Sequence, residues 1–198
     1  MRNAYVLLTA LLLAMSELAL SNDTPEVLAD NQRLSALHDE DQADRILWRK
    51  KEISSKTLVE RDESRRREVK QMLATARVRT AHDFFCAALI FHHGQTVDDY
   101  RLAISLAWLS TSIDPETKDY AYLSASTWDR FMMSQGKPQW YGTKCRHDTK
   151  QPGKDELYPV DETAVTDIDR ARFDLKPLQT MREHIGEPIR VSGGSNTC

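Results

Sequence analysis

Glycine and proline are scarce in this chain, seven of each in 198 residues. A turn-rich β protein needs more of both, since turns draw on glycine's positive φ and proline's fixed one. The shortage favours helices. An excess of charge of one sign is also lacking. The chain carries 27 Lys and Arg against 30 Asp and Glu, a net −3. A nucleic-acid binder needs a basic surface to neutralise phosphates, so no nucleic-acid partner is expected. Cysteine is limited to Cys86, Cys145 and Cys198, which allow one intramolecular bridge chosen in three ways. Cys86 lies in an apolar stretch and reads as a buried free thiol, which leaves Cys145 with Cys198 as the favoured pair.

Long apolar runs are missing as well. The N-terminal one, Ala4 to Met15 broken by Thr9, is too short for a comfortable membrane span. Arg2 precedes it and Ala19-Leu20-Ser21 follows with small residues at −3 and −1. This is the pattern of a signal peptide cleaved before Asn22. The expectation is an exported protein, periplasmic or secreted, with no stable membrane insertion after cleavage. An uncleaved inner-membrane anchor is the alternative.

What remains is 40% hydrophobic and 29% charged, enough for one domain with a sizeable core. The expected fold class is all-α. Residues 22–54 form an N-terminal helical extension, 55–186 a domain of stacked helical hairpins, and 187–198 a loose tail. From Ser55 the spacing of Leu58, Asp62, Arg65, Val69, Met72 and Ala76 is helical. The Arg65, Arg66, Arg67 run within it sits among carboxylates and reads as a solvated face. A second helix spans Thr80 to His93, capped by Thr80 and ended by Gly94 in the left-handed conformation. Phe84 to Phe91 leave it no polar stripe, so it should be buried on most sides. A third helix opens at Thr96 with Asp98 and Asp99 and ends at Asp114-Pro115. It should also be sandwiched, with Leu102, Leu106, Leu109 and Ile113 on one stripe and Ala103, Ala107 and Ser110 on another. A fourth runs from about Glu116 to Ser134, stopped by Gly136. Residues 137–165 carry no periodicity and read as a long irregular loop. A short turn capped at Thr166 and a last helix from Pro177 close the domain.

Several ordered motifs then stand out. Ala87-Ala88-Leu89-Ile90-Phe91-His92-His93-Gly94, the pair Asp129-Arg130, and Pro138-Gln139-Trp140-Tyr141-Gly142-Thr143 resemble a bacterial domain-of-unknown-function family. Its pattern reads A-A-x-I-x-Q-H-G, D-R and P-Q-x-Y-G-T, and the resemblance covers roughly residues 55 to 185. It implies a largely helical domain and no particular activity. His92 stands where the family has glutamine, and Lys144 stands where glutamine often follows the G-T.

No motif specifies a reaction, a metal or a cofactor. His93 is the best general-base candidate, with Asp83 or Asp129 to orient it. Cys86 lies seven residues before His93, about 10 Å along a helix axis, too far for direct activation. His82 and Cys86 at i, i+4 suit a zinc pair, but His93 is too far to complete the site, so no metal is expected. Arg130, Gln139 and Tyr141 are candidate binding residues. Two readings follow: a non-catalytic binding or structural module, with a protein among its possible partners, or a secreted hydrolase using His93 and an aspartate.

Overall fold

The computed structural model describes residues 28–147, 155–183, 185, 188–191 and 194–197. The expected signal segment, residues 1–21, lies outside the described residues. Five helices form the body: α1 (Gln32–Arg49), α2 (Ser55–Ala74), α3 (Ala81–His92), α4 (Val97–Ile113) and α5 (Lys118–Ser134). The fold is all-α, and among the described residues no helix is long and apolar enough to cross a membrane.

The caps explain where the helices start. Asn31, Ser54, Thr80 and Thr96 each accept a backbone N–H from the first turn. Thr80 with Asp83 and Thr96 with Asp99 complete reciprocal capping boxes, which satisfy orphan donors in both directions. As its composition required, α3 is central and packs against α1, α2, α4 and α5. Its Cys86, Ala87, Ala88, Ile90 and Phe91 join Leu34, Leu37, Val69, Met72, Leu106 and Leu123 in one core. Leu34 and Leu37 are fully buried there, so α1 belongs to the same core as the rest.

Several expectations need correction. α4 is not sandwiched: Ala103, Leu106, Ala107 and Ser110 are buried, but Trp108, Leu109 and Ile113 are exposed. Small side chains let α3 and α5 approach closely, which turns the large stripe outward. Gly94 does not take a positive φ. It is required for space, because a Cβ there would lie 2.3 Å from Asp99 Cβ. The arginine run is not solvated either. Arg65 and Arg66 are only 5% and 6% exposed, and Arg67 alone faces water.

The segment after α5 is not structureless. β1 (Cys145–His147) pairs antiparallel with β2 (Asp155–Leu157), and Gln139 bridges Val160. Two short helices follow, α6 (Asp167–Ala171) and α7 (Leu178–Glu183), with a second small core around Tyr141, Phe173 and Leu175. The tail is ordered into a hairpin, β3 (Pro188–Val191) with β4 (Gly194–Thr197). Cys86 is free and buried, whereas Cys145 is disulfide-bonded. Cys198 lies outside the described residues.

Candidate functional site

The polar residues of the sequence separate into three groups, each with its own work. Asp83 sits in the first turn of α3, where its carboxylate accepts from the backbone N–H groups of Asn31 at 2.7 Å and Arg79 at 2.9 Å. It is ten residues from His93, about 15 Å along the helix, and cannot orient that imidazole. Its role is to cap α3 and to tie the start of α1 to it.

Asp129 is fully buried on α5 and accepts four hydrogen bonds from the following loop. They come from Trp140 N at 2.8 Å, Tyr141 N at 2.9 Å, and Thr143 N and Oγ1 at 2.9 Å each. Gln139 performs the same task from within the loop. Its Nε2 donates to the carbonyls of Lys144 and Tyr158 at 2.8 Å, and its Oε1 accepts from Lys144 N at 2.9 Å. Tyr141 is packed edge-on against Phe173 with ring centroids 4.9 Å apart. Neither Gln139 nor Tyr141 is offered to a ligand, because both are buried in holding the loop.

The third group surrounds the C-terminus of α3. His93 does meet a carboxylate, but it is Asp41 of α1, with Nδ1 to Oδ2 at 2.9 Å. A carboxylate accepts only, so the Asp41 bond needs the proton on Nδ1 and would leave Nε2 as the basic nitrogen. Arg45 Nε donates toward the same Nδ1 at 3.3 Å and makes the opposite demand. Arg45 also donates to Asp41 at 3.0 Å and Asp62 at 2.7 Å. Arg65 donates to Asp44 at 2.7 Å and Asp62 at 2.6 Å, and Arg61 donates to Asp44 at 2.6 Å. Three carboxylates therefore balance three guanidiniums between α1 and α2. No negative charge is left over for an imidazolium. Burial, with Arg45 and Arg130 nearby, accordingly holds His93 below its ordinary range despite Asp41. Burial disfavours the Asp41 anion, yet His93, Arg45 and Arg65 outweigh it and hold the carboxyl down at about 2.

On the other side of the same corner the balance fails. His92 is buried, and its Nε2 accepts from Arg130 Nε at 3.1 Å. Lys144 Nζ reaches that atom at 3.2 Å and Ser126 Oγ at 2.5 Å. Among the described residues neither Arg130 nor Lys144 has a carboxylate at ion-pair distance; Asp129, the acid next in sequence to Arg130, is filled by the loop. With Nε2 accepting, Nδ1 of His92 must hold the proton, and this buried atom has no partner. Burial first, then Lys144 and Arg130, push His92 well below its ordinary range. Burial and Arg130 do the same to Lys144. Arg130, Lys144, His93, Arg45 and Tyr100 are all partly exposed.

Sequence reasoning found His93 and Arg130 but assigned His93 the wrong acid. The available signal was the spacing of Asp41, Asp44 and Arg45 on α1 and of Asp62 and Arg65 on α2. Each set recurs at i, i+3 or i+4 on the side that also carries Leu34, Leu37, Leu58 and Val69. Charged residues in phase with an apolar stripe are buried, and buried charges require partners.

A cavity of about 400 Å³ lies between α1 and α2, lined among others by Arg33, Glu40, Arg61 and Glu68. His93 does not line it, and Arg33 is already paired with Glu40 and Glu68 at 2.8 Å. Among the described residues no group of three or more His, Cys, Asp or Glu is placed to hold a metal ion. In comparisons with protein-family models, curated proteins and solved structures, nothing matches this chain.

Proposed function

We propose that the chain is an exported, non-catalytic binding module. The observation that carries this reading is the four-bond occupancy of Asp129. The acid that a hydrolytic reading would place beneath the loop has no lone pair free for chemistry, because it anchors the loop. Gln139 is filled in the same way. A loop tied this firmly to a helix body serves as a rigid surface rather than a moving lid. Export rests on the n-region, the short apolar run and the Ala19–Ser21 processing site, and N-terminal sequencing of the secreted protein tests it.

A second reading has one observation in its favour. With Nδ1 of His93 donating to Asp41, Nε2 is left as a base, the arrangement general-base catalysis uses. His93→Gln separates the two, since an amide keeps hydrogen-bonding capacity but cannot take a proton near neutral pH. The module reading predicts a folded variant with binding within a few-fold of the original. Loss of turnover by orders of magnitude, in any assay that finds a substrate, would overturn it.

A further inference from the structure

We infer that Arg130 and Lys144, with Arg45 beside them at the His92–His93 corner, form a site for a compact oxyanion: a phosphate or sulfate group, free or at the head of a larger molecule. This rests on the binding-module reading and adds the chemistry of the ligand.

The argument starts from charge. Arg45 belongs to a cluster whose three acids and three guanidiniums cancel. Arg130 and Lys144 belong to none. Both donate to one atom, His92 Nε2, at 3.1 and 3.2 Å, so their nitrogens are no more than about 6.3 Å apart. Two basic groups held this close repel each other when both are charged, and a shared anion removes that repulsion.

Unused donors point the same way. After its bonds to His92 and Tyr100, the Arg130 fork still has terminal N–H groups to offer, and a guanidinium pairs with oxyanions in a bidentate manner. Lys144 keeps one N–H beyond His92 and Ser126. Arg130 and Lys144 are each partly exposed as residues, with their charged ends set into the corner. A dianion with several oxygens would hold the charge on both groups and engage their donors together. A carboxylate, with a single charge, would leave one of them uncompensated.

The frame is fixed before any ligand arrives. Lys144 is aligned through its own N–H and C=O, both bonded to Gln139, and Asp129 pins the loop that leads to it. A pre-set site of this kind binds without the entropic cost of ordering a loop.

The test is an NMR titration of the full exported chain with inorganic phosphate, sulfate, glycerol phosphate and, as a singly charged control, acetate. The expected result is saturable shifts in the imidazole signals of His92 and His93 and in the Arg130 Nε–H signal, with acetate much weaker. Glycerol phosphate binding more tightly than inorganic phosphate assigns the ligand to an organic phosphate; equal affinity assigns it to the free ion. Arg130→Gln should weaken phosphate at least tenfold, and Arg67→Gln less than twofold. Absence of saturable shifts, or shifts centred on Arg33 and Arg61, overturns the site. So does a folded Arg130→Gln with unchanged affinity; if that variant fails to fold, Lys144→Gln and the shifts in the unaltered protein decide. Failure of this site leaves the module reading standing. Hydrolysis of glycerol phosphate that is lost in His93→Gln would overturn the module reading while the anion site stood.

Discussion

Lys144 Nζ lies 3.2 Å from His92 Nε2, across 52 residues of sequence. The contact joins the C-terminal turn of α3 to the residue just before β1. Burial first, and then the neighbouring Lys144, disfavours the charged form of His92.

The neutrality of His92 makes stability depend on pH. His92 falls well below its ordinary 6.5 in the folded chain, because burial, Lys144 and Arg130 disfavour the charged ring. Below 6.5 the unfolded chain binds a proton that the folded chain refuses, so acid favours unfolding. The loss amounts to about 1.4 kcal/mol per pH unit for one such group, and continues down to the depressed folded value. His93, also lowered, adds to the same slope. His92→Gln should flatten the dependence of unfolding free energy on pH below 6.5, measured by urea denaturation. An unaltered slope would mean that His92 is protonated in the folded state.

Asp129 should contribute to stability through the loop. Asp129→Ala strands the N–H groups of Trp140, Tyr141 and Thr143, two of which lie in bonds with both partners buried. Removing one partner from a buried charged network costs about 3–5 kcal/mol. The variant should unfold at clearly lower denaturant, with the signal of Trp140 changing before that of the helix body. A midpoint equal to that of the original would show that the loop holds itself through Gln139 alone.

Much of this fold was legible in the sequence, and the failures share a cause. The boundaries of α2, α3, α4 and α5 follow from Ser54, Thr80, Thr96 and Pro115 because capping and chain stiffness are local. The central position of α3 follows from having no polar stripe. Arg65 and Arg66 were misjudged because burial of an ion pair is settled by a partner on another helix. β1 with β2, and β3 with β4, escaped notice because strands of three or four residues give no usable alternation. The site was half visible. His93 and Arg130 lie within motifs, whereas Asp41 lies in the N-terminal stretch, where no motif marks it.

Adjacent arginines on α2 should behave in opposite ways. Arg65 bonds Asp44 and Asp62 and lies 3.8 Å from Asp41, all of them buried. Arg65→Ala would leave those acids short of a cation and should cost about 3–5 kcal/mol. Arg67 reaches only the exposed Glu63 at 3.0 Å, so Arg67→Ala should change stability by less than about 0.5 kcal/mol. Equal effects in thermal denaturation would contradict the burial of Arg65. Acid should also release the network: the Asp41 contribution is complete above its ordinary value of 3.8 and is lost as pH falls through about 2.

Two glycines give a contrast between space and backbone geometry. Gly136 has φ +70° with nothing within 4 Å of an added Cβ. Gly136→Ala therefore meets only the left-handed penalty, about 1–2 kcal/mol. Gly94 has ordinary φ, but its Cβ would sit 2.3 Å from Asp99 Cβ, 2.8 Å from Asp99 Cγ and 2.8 Å from the Phe91 carbonyl oxygen. The atoms in the way are not a loose side-chain end. Asp99 accepts from Gln95 N and Thr96 N at 3.2 Å, closing the cap of α4, and Arg66 Nε stands 3.7 Å from its carboxylate. Relief of the clash must move Asp99 off that cap or part α3 from α4. Over-packing costs about 1–3 kcal/mol and a lost cap about 1 more. Gly94→Ala should therefore destabilise by about 2–4 kcal/mol, more than Gly136→Ala, when the two are compared by urea denaturation. The opposite order would mean that Asp99 moves aside freely and that the α3–α4 corner, with His93 on it, is held less firmly than its hydrogen bonds imply.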